Sequence, residues 1–221
     1  MKRIAIRRIV VGIAAAALAG PLAAEVGPVL RVDYSNPGLS PSKWTLVIHA
    51  DGSGHFSSQR GNAPPGDVPM MQTPDVNRDV QVSEEFADRV FQLAKDQTLR
   101  KGECESHLKV AFQGWKKITY SGPDGEWSCE FNYSKDKEVQ AAGETLQAVA
   151  GTILEGVRLE MLLQHDRLGL DKEMEFIQDA TRDGRLAQIC AIKGILGRLA
   201  DDPEVMERVR KRARTLLSKP E

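Results

Sequence analysis

Residues 104–133, CESHLKVAFQGWKKITYSGPDGEWSCEFNY, decide the fold. The stretch holds two of the three cysteines and two of the three tryptophans. Leu108, Val110 and Phe112 share one parity, Ile118 and Tyr120 the next, and Trp127, Cys129, Phe131 and Tyr133 a third. Lys109, Gln113, Thr119, Ser128, Glu130 and Asn132 alternate with them, as a half-buried strand requires. The spacing predicts a three-stranded antiparallel meander. Gly122-Pro123-Asp124-Gly125 is the second turn, pairing Tyr120 with Trp127 and Ile118 with Cys129. A loop at Gln113-Gly114-Trp115 is the first, pairing Phe112 with Lys116 and Val110 with Ile118.

Working outward, residues 29–34 (VLRVDY) alternate as a strand. Trp44, Leu46 and Ile48 mark a second strand, and Asp51-Gly52-Ser53-Gly54 turns it into a return strand at 55–58. Residues 59–79 hold four prolines and no period, and predict a long surface loop. Val80 and Val82 add a short strand. Ser83 is an N-cap for a helix over 84–96, with Glu84 and Glu85 in its first turn.

Beyond residue 137 helix formers take over. Leu146, Val149, Ala150, Ile153, Val157 and Met161 predict a helix over 138–165. Asp171 caps a second, ending near Asp183-Gly184. Leu186, Ile189, Cys190, Leu196 and Leu199 line a third, which places Cys190 in the core as an inert thiol. Asp202-Pro203 opens a fourth, with Pro at its first position. The fold class is therefore α+β: an antiparallel sheet of two hairpin or meander units with one packed helix, then about four C-terminal helices. The organisation is a signal peptide at 1–24, a sheet domain at 25–136 and a helical region at 137–221 packed on the sheet.

The N-terminus reads as an export signal. Lys2, Arg3, Arg7 and Arg8 precede a short apolar run, Ile9–Leu18, and small residues at Ala17–Ala19 and Ala23-Ala24 offer cleavage sites. Arg7-Arg8 also fits a twin-arginine signal. Loss of the leader takes four of the 30 Lys+Arg and none of the 31 Asp+Glu, so the mature chain is mildly acidic. That balance argues against nucleic-acid binding, which draws on positive charge. The expected location is periplasmic or secreted, with no transmembrane helix in the mature chain.

An oxidising compartment makes Cys104–Cys129 the natural disulfide. The predicted register opposes it, because a straight strand over 104–112 carries Cys104 past Tyr120. The bond requires residues 102–107 to fold back, which Gly102 allows. His49 and His55 are weak metal candidates: a loop at Asp51–Ser53 sets them opposite each other, with Asp51 near. No third ligand stands at a matching spacing, and no metal or other cofactor is assigned. Hydrolase motifs (G-x-S-x-G, H-E-x-x-H) and phosphate-binding glycine loops are missing, and no catalytic residue is assigned. The reading is a non-enzymatic exported protein that binds another protein or a cell-envelope component, through the 59–79 loop or the basic last helix (Arg208, Arg210, Lys211, Arg212, Arg214). The alternative is an envelope hydrolase whose site assembles only on folding.

Overall fold

A computed structural model describes residues 27–61, 74–95 and 97–219. The signal segment and most of the 59–79 loop lie outside the described residues. Six strands form one sheet: β1 (Val29–Ser35), β2 (Lys43–His49), β3 (Ser53–Gln59), β4 (Val76–Gln81), β5 (Trp115–Gly122) and β6 (Gly125–Phe131). Their order is β4-β3-β2-β1-β5-β6, with every neighbouring pair antiparallel. The helices are α1 (Glu84–Ala94), α2 (Gln97–Lys101), α3 (Lys137–His165), α4 (Gly169–Arg182), α5 (Lys193–Asp201) and α6 (Glu207–Leu217). This is the expected α+β fold, an N-terminal sheet followed by C-terminal helices.

The β5–β6 hairpin has the predicted register, with Ile118 opposite Cys129 and Tyr120 opposite Trp127. The expected strand before it does not form. β5 takes β1 as its other neighbour, pairing Val32 with Ile118 and Leu30 with Tyr120. Residues 103–114 carry no regular structure, and Leu108, Val110 and Phe112 are about half exposed. Gly102 (φ +71°) and His107 (φ +54°) turn the chain back over the sheet end. Cys104 and Cys129 therefore face each other at disulfide distance, with Cα atoms 5.8 Å apart. Given a choice between the strand and the cysteine pair, the fold keeps the pair.

Other boundaries shift for local reasons. β4 starts at Val76, earlier than Val80, so the preceding loop is shorter than expected. α1 has the predicted cap, with Phe86 N–H donating to Ser83 Oγ at 3.2 Å. Asp202 accepts from Glu204 N–H in a turn, and α6 begins only at Glu207, so Pro203 precedes the helix instead of opening it.

One face of the sheet is covered. Leu30, Val32, Leu46, Ile48, Phe56, Ile118 and Phe131 pack with Phe86 and Val90 of α1 and with Leu146, Val149, Ile153 and Val157 of α3. A second core joins Leu159 and Leu162 of α3 to Met174, Ile177, Leu196, Leu199, Val209 and Ala213. Helix α3 thus belongs to both. Ile153→Ala and Leu159→Ala, one in each core, should each cost about 2–5 kcal/mol. Because α3 is common to the two, both should shift one and the same unfolding transition in denaturant titrations followed by circular dichroism and tryptophan emission. Two separable transitions would contradict a shared helix.

Candidate functional site

Among the described residues no helix covers the other face of the sheet, and strand parity decides what it shows. Asn77, Ser57, Thr45, Asp33, Lys117 and Glu130 stand side by side across all six strands. A parallel row reads Asp79, His55, Val47, Arg31, Thr119 and Ser128. Opposite charges are neighbours: Asp33 lies between Thr45 and Lys117, and Lys117 between Asp33 and Glu130. The Arg31 guanidinium donates to both Asp33 oxygens at 2.8 and 2.7 Å, and Thr45 Oγ1 donates to Asp33 at 2.7 Å. Burial works against the Asp33 carboxylate, but Arg31, Thr45 and Lys117 together hold it below its ordinary range.

Along the first of these rows, from Ser57 to Glu130, lies a groove of about 400 Å³. Asp33, Lys43, Thr45, Ser57, Gln59, Lys117 and Glu130 supply its polar lining, and Trp115 an aromatic wall. Tyr34 and Trp44 stack beneath it at 5.1 Å between ring centres. Both charge signs, amide and hydroxyl groups and an indole converge on a surface that no part of the described chain covers. The groove suits a ligand that is itself polar and mixed in charge. Period-2 spacing marked the polar parity in the sequence. Which residues of distant strands would stand side by side was not legible without the strand order.

The histidines occupy a different groove, which also takes in Asp79, Cys190 and Lys193. They do not oppose each other: His55 pairs with Val47, because the hairpin turns one residue earlier than the predicted loop, which shifts the register by two. His55 Nδ1 bonds Asp79 at 2.8 Å and Nε2 bonds Asn77. Those two bonds, Asp79 first, hold its pKa above the ordinary value. With both ring nitrogens engaged, His55 offers neither a metal lone pair nor a base. Among the described residues no group of three or more His, Cys, Asp or Glu is placed to hold a metal.

Cys190 is half-buried at the rim of this groove, not in the core as its stripe suggested. It lies in a 3-10 turn, Ile189–Ile192, that precedes α5, so helical spacing does not apply to it. Its thiol points at Gln81 O and Gln188 Oε1, at 3.6 and 3.7 Å. The basic last helix is largely paired within the chain. Arg208 and Arg212 both reach Asp171, and Arg214 donates to Ala200 O at 2.9 Å.

One ionisable pair escaped the sequence reading. Glu155 of α3 meets Glu173 of α4 beside a recess of about 390 Å³ that also receives Arg158, Asp166, Lys172 and Phe176. Glu173 is buried and ion-paired to Arg158 at 2.7 Å. Burial, then the hydrogen bond and charge of Glu173, push the Glu155 carboxyl up to about 8, with Arg158 acting in the opposite direction. Glu155 thus keeps its proton at neutral pH. A signal existed: Glu173 falls on the same stripe as Leu170, Met174 and Ile177, where an acid is out of place.

No family model matches the chain, and comparison with curated proteins finds no relative.

The carboxyl pair gives a signed pH dependence. The folded pKa of Glu155, about 8, lies above its ordinary 4.5, so the native state holds this proton more tightly than the unfolded chain. Its stabilisation is complete below about pH 4.5 and is lost as pH rises to about 8, at a slope of at most about 1.4 kcal/mol per pH unit. Urea titrations across that window should show wild-type stability falling more steeply than that of Glu155→Gln. Parallel curves would remove the retained proton.

Proposed function

We propose that the chain is an exported, non-enzymatic binding protein of the cell envelope, and that its ligand lies in the groove of the open sheet face. The uncovered polar face of six strands, with its aromatic-walled groove, carries this reading. The leader-like segment at 1–24 and the Cys104–Cys129 pair at disulfide distance support an oxidising, exported location. No helix among the described residues is long and apolar enough to cross a membrane.

Ser57 lines the groove from β3, and Ser57→Trp puts an indole into it without changing charge. Native mass spectrometry on protein purified without reductant from the envelope of its own cell is the test. Wild type should have lost the leader, should lack two hydrogens for one disulfide, and should carry a bound mass that Ser57→Trp loses while keeping its circular dichroism. An intact N-terminus with three free thiols, or a wild type as bare as the variant, would overturn the proposal.

The hydrolase reading has one specific observation in its favour, the Glu155–Glu173 pair, in which a carboxyl held protonated at pH 7 meets a second carboxyl. Under that reading Glu155→Gln and Glu173→Gln stop the release of soluble fragments from purified envelope polymer. Under ours the wild type releases none, and neither substitution alters the bound mass.

A further inference from the structure

Residues 107–113 are exposed without a break. Within and just beyond them Leu108 is 51%, Val110 40%, Phe112 50% and Trp115 42% exposed, half of the large exposed apolar side chains among the described residues. The Phe112 and Trp115 rings meet edge to face at 6.3 Å. Single exposed apolar residues need no explanation, but four in eight positions do.

The segment is fastened at both ends to the same place. The Glu105 carboxylate accepts from Asn132 N–H at 2.6 Å and His107 N–H at 3.0 Å, and Ser106 N–H donates to Tyr133 O at 2.9 Å. At the far end Gln113 N–H donates to Asn132 Oδ1 at 2.6 Å, and Tyr34 OH donates to Gln113 O at 2.9 Å. Residues 107–112 therefore stand out as a loop with close, rigid ends.

The charge around it is one-sided. The sequence has no acidic residue between Glu105 and Asp124, while His107, Lys109 and Lys117 are exposed. Glu105 is taken up by backbone N–H groups, and Lys117 is balanced by its neighbours Asp33 and Glu130, which leaves Lys109 as the loop's own lysine. In a chain of net charge −1 this is a local basic, apolar surface.

We propose that the 107–112 loop docks on an anionic phospholipid bilayer: Leu108, Val110 and Phe112 enter the acyl boundary, Trp115 sits at headgroup level, and Lys109 meets the phosphates. Peripheral binding grows with buried apolar area and with attraction to anionic lipid. Indole favours the interface, and lysine can bury its stem while its amine stays wet. Trp115 also borders the groove, but Leu108, Val110 and Phe112 do not line it, so docking through the loop tip stands apart from the ligand-binding reading.

The test is co-sedimentation with vesicles of phosphatidylglycerol and phosphatidylcholine, against vesicles of phosphatidylcholine alone. Wild type should pellet with the anionic vesicles, less so at high salt, and its tryptophan emission should shift to the blue. Leu108→Ser with Phe112→Ser, both at exposed positions, should lower vesicle affinity at least tenfold with unchanged circular dichroism. Lys109→Glu should weaken binding to anionic vesicles only. Ser57→Trp should pellet like wild type, so failure of the groove and failure of the loop are told apart. A wild type that stays in the supernatant with anionic vesicles, or a double serine variant that pellets equally well, would overturn the proposal.

Discussion

The structure depends on one helix serving two cores. Along α3, Leu146, Val149, Ile153 and Val157 face the sheet, while Thr152, Gly156, Leu159 and Leu162 face the C-terminal helices. Two apolar stripes on one helix leave a narrow polar margin, and close approach on both sides then constrains residue size. At Gly143 a Cβ would come within 2.9 Å of the Phe131 ring and 3.1 Å of the Lys116 stem, and at Gly156 it would run into Ile192. Thr152, fully buried, donates to Ala187 O at 2.7 Å and accepts from Ala187 N–H at 3.1 Å, stitching α3 to the segment that leads into α5. The glycines set the distance and the threonine satisfies the backbone that this distance buries.

Much of this was legible in periodicity. The strands over 29–34 and 44–48, the β5–β6 hairpin with its register, the Ser83 cap and the length of α3 all follow from local pattern. The failure at residues 104–112 has a physical cause. Alternation alone cannot tell a strand from an extended loop, and it does not reveal that β1 offers β5 a better partner. The cysteines held that information. A straight strand and a Cys104–Cys129 pair were incompatible, and Gly102 pointed to the one that survives.

The candidate sites were less legible, because they join residues far apart in the chain. Asp33, Lys117 and Glu130 become neighbours only when β1 lies next to β5. Glu155 and Glu173 meet only when the chain doubles back between α3 and α4. His49 and His55 show the converse. Their sequence spacing suggested a pair, but a hairpin turning one residue early sets His55 against Val47 and gives its ring to Asn77 and Asp79. Short-range spacing could nominate ligands there, but only the register could assign them.

Lys116 and Lys117 show how one strand serves both faces. Lys117 points to the open side, among carboxylates. Lys116 points into the core, fully buried, with Nζ donating to Asn132 O at 2.8 Å and lying 5.3 Å from the Phe131 ring centre. Burial lowers its pKa, opposed by Glu144 and Glu105. A buried ammonium is tolerated only where acceptors are fixed around it, and the acceptor it finds is the carbonyl of the residue whose side chain anchors the 107–112 loop. Asn132 thus receives Lys116 from the core and Gln113 from the surface. The base of the loop is held by the same residue that makes the core lysine possible, through its side chain on one side and its carbonyl on the other, so the apolar tip stands clear of the sheet beneath.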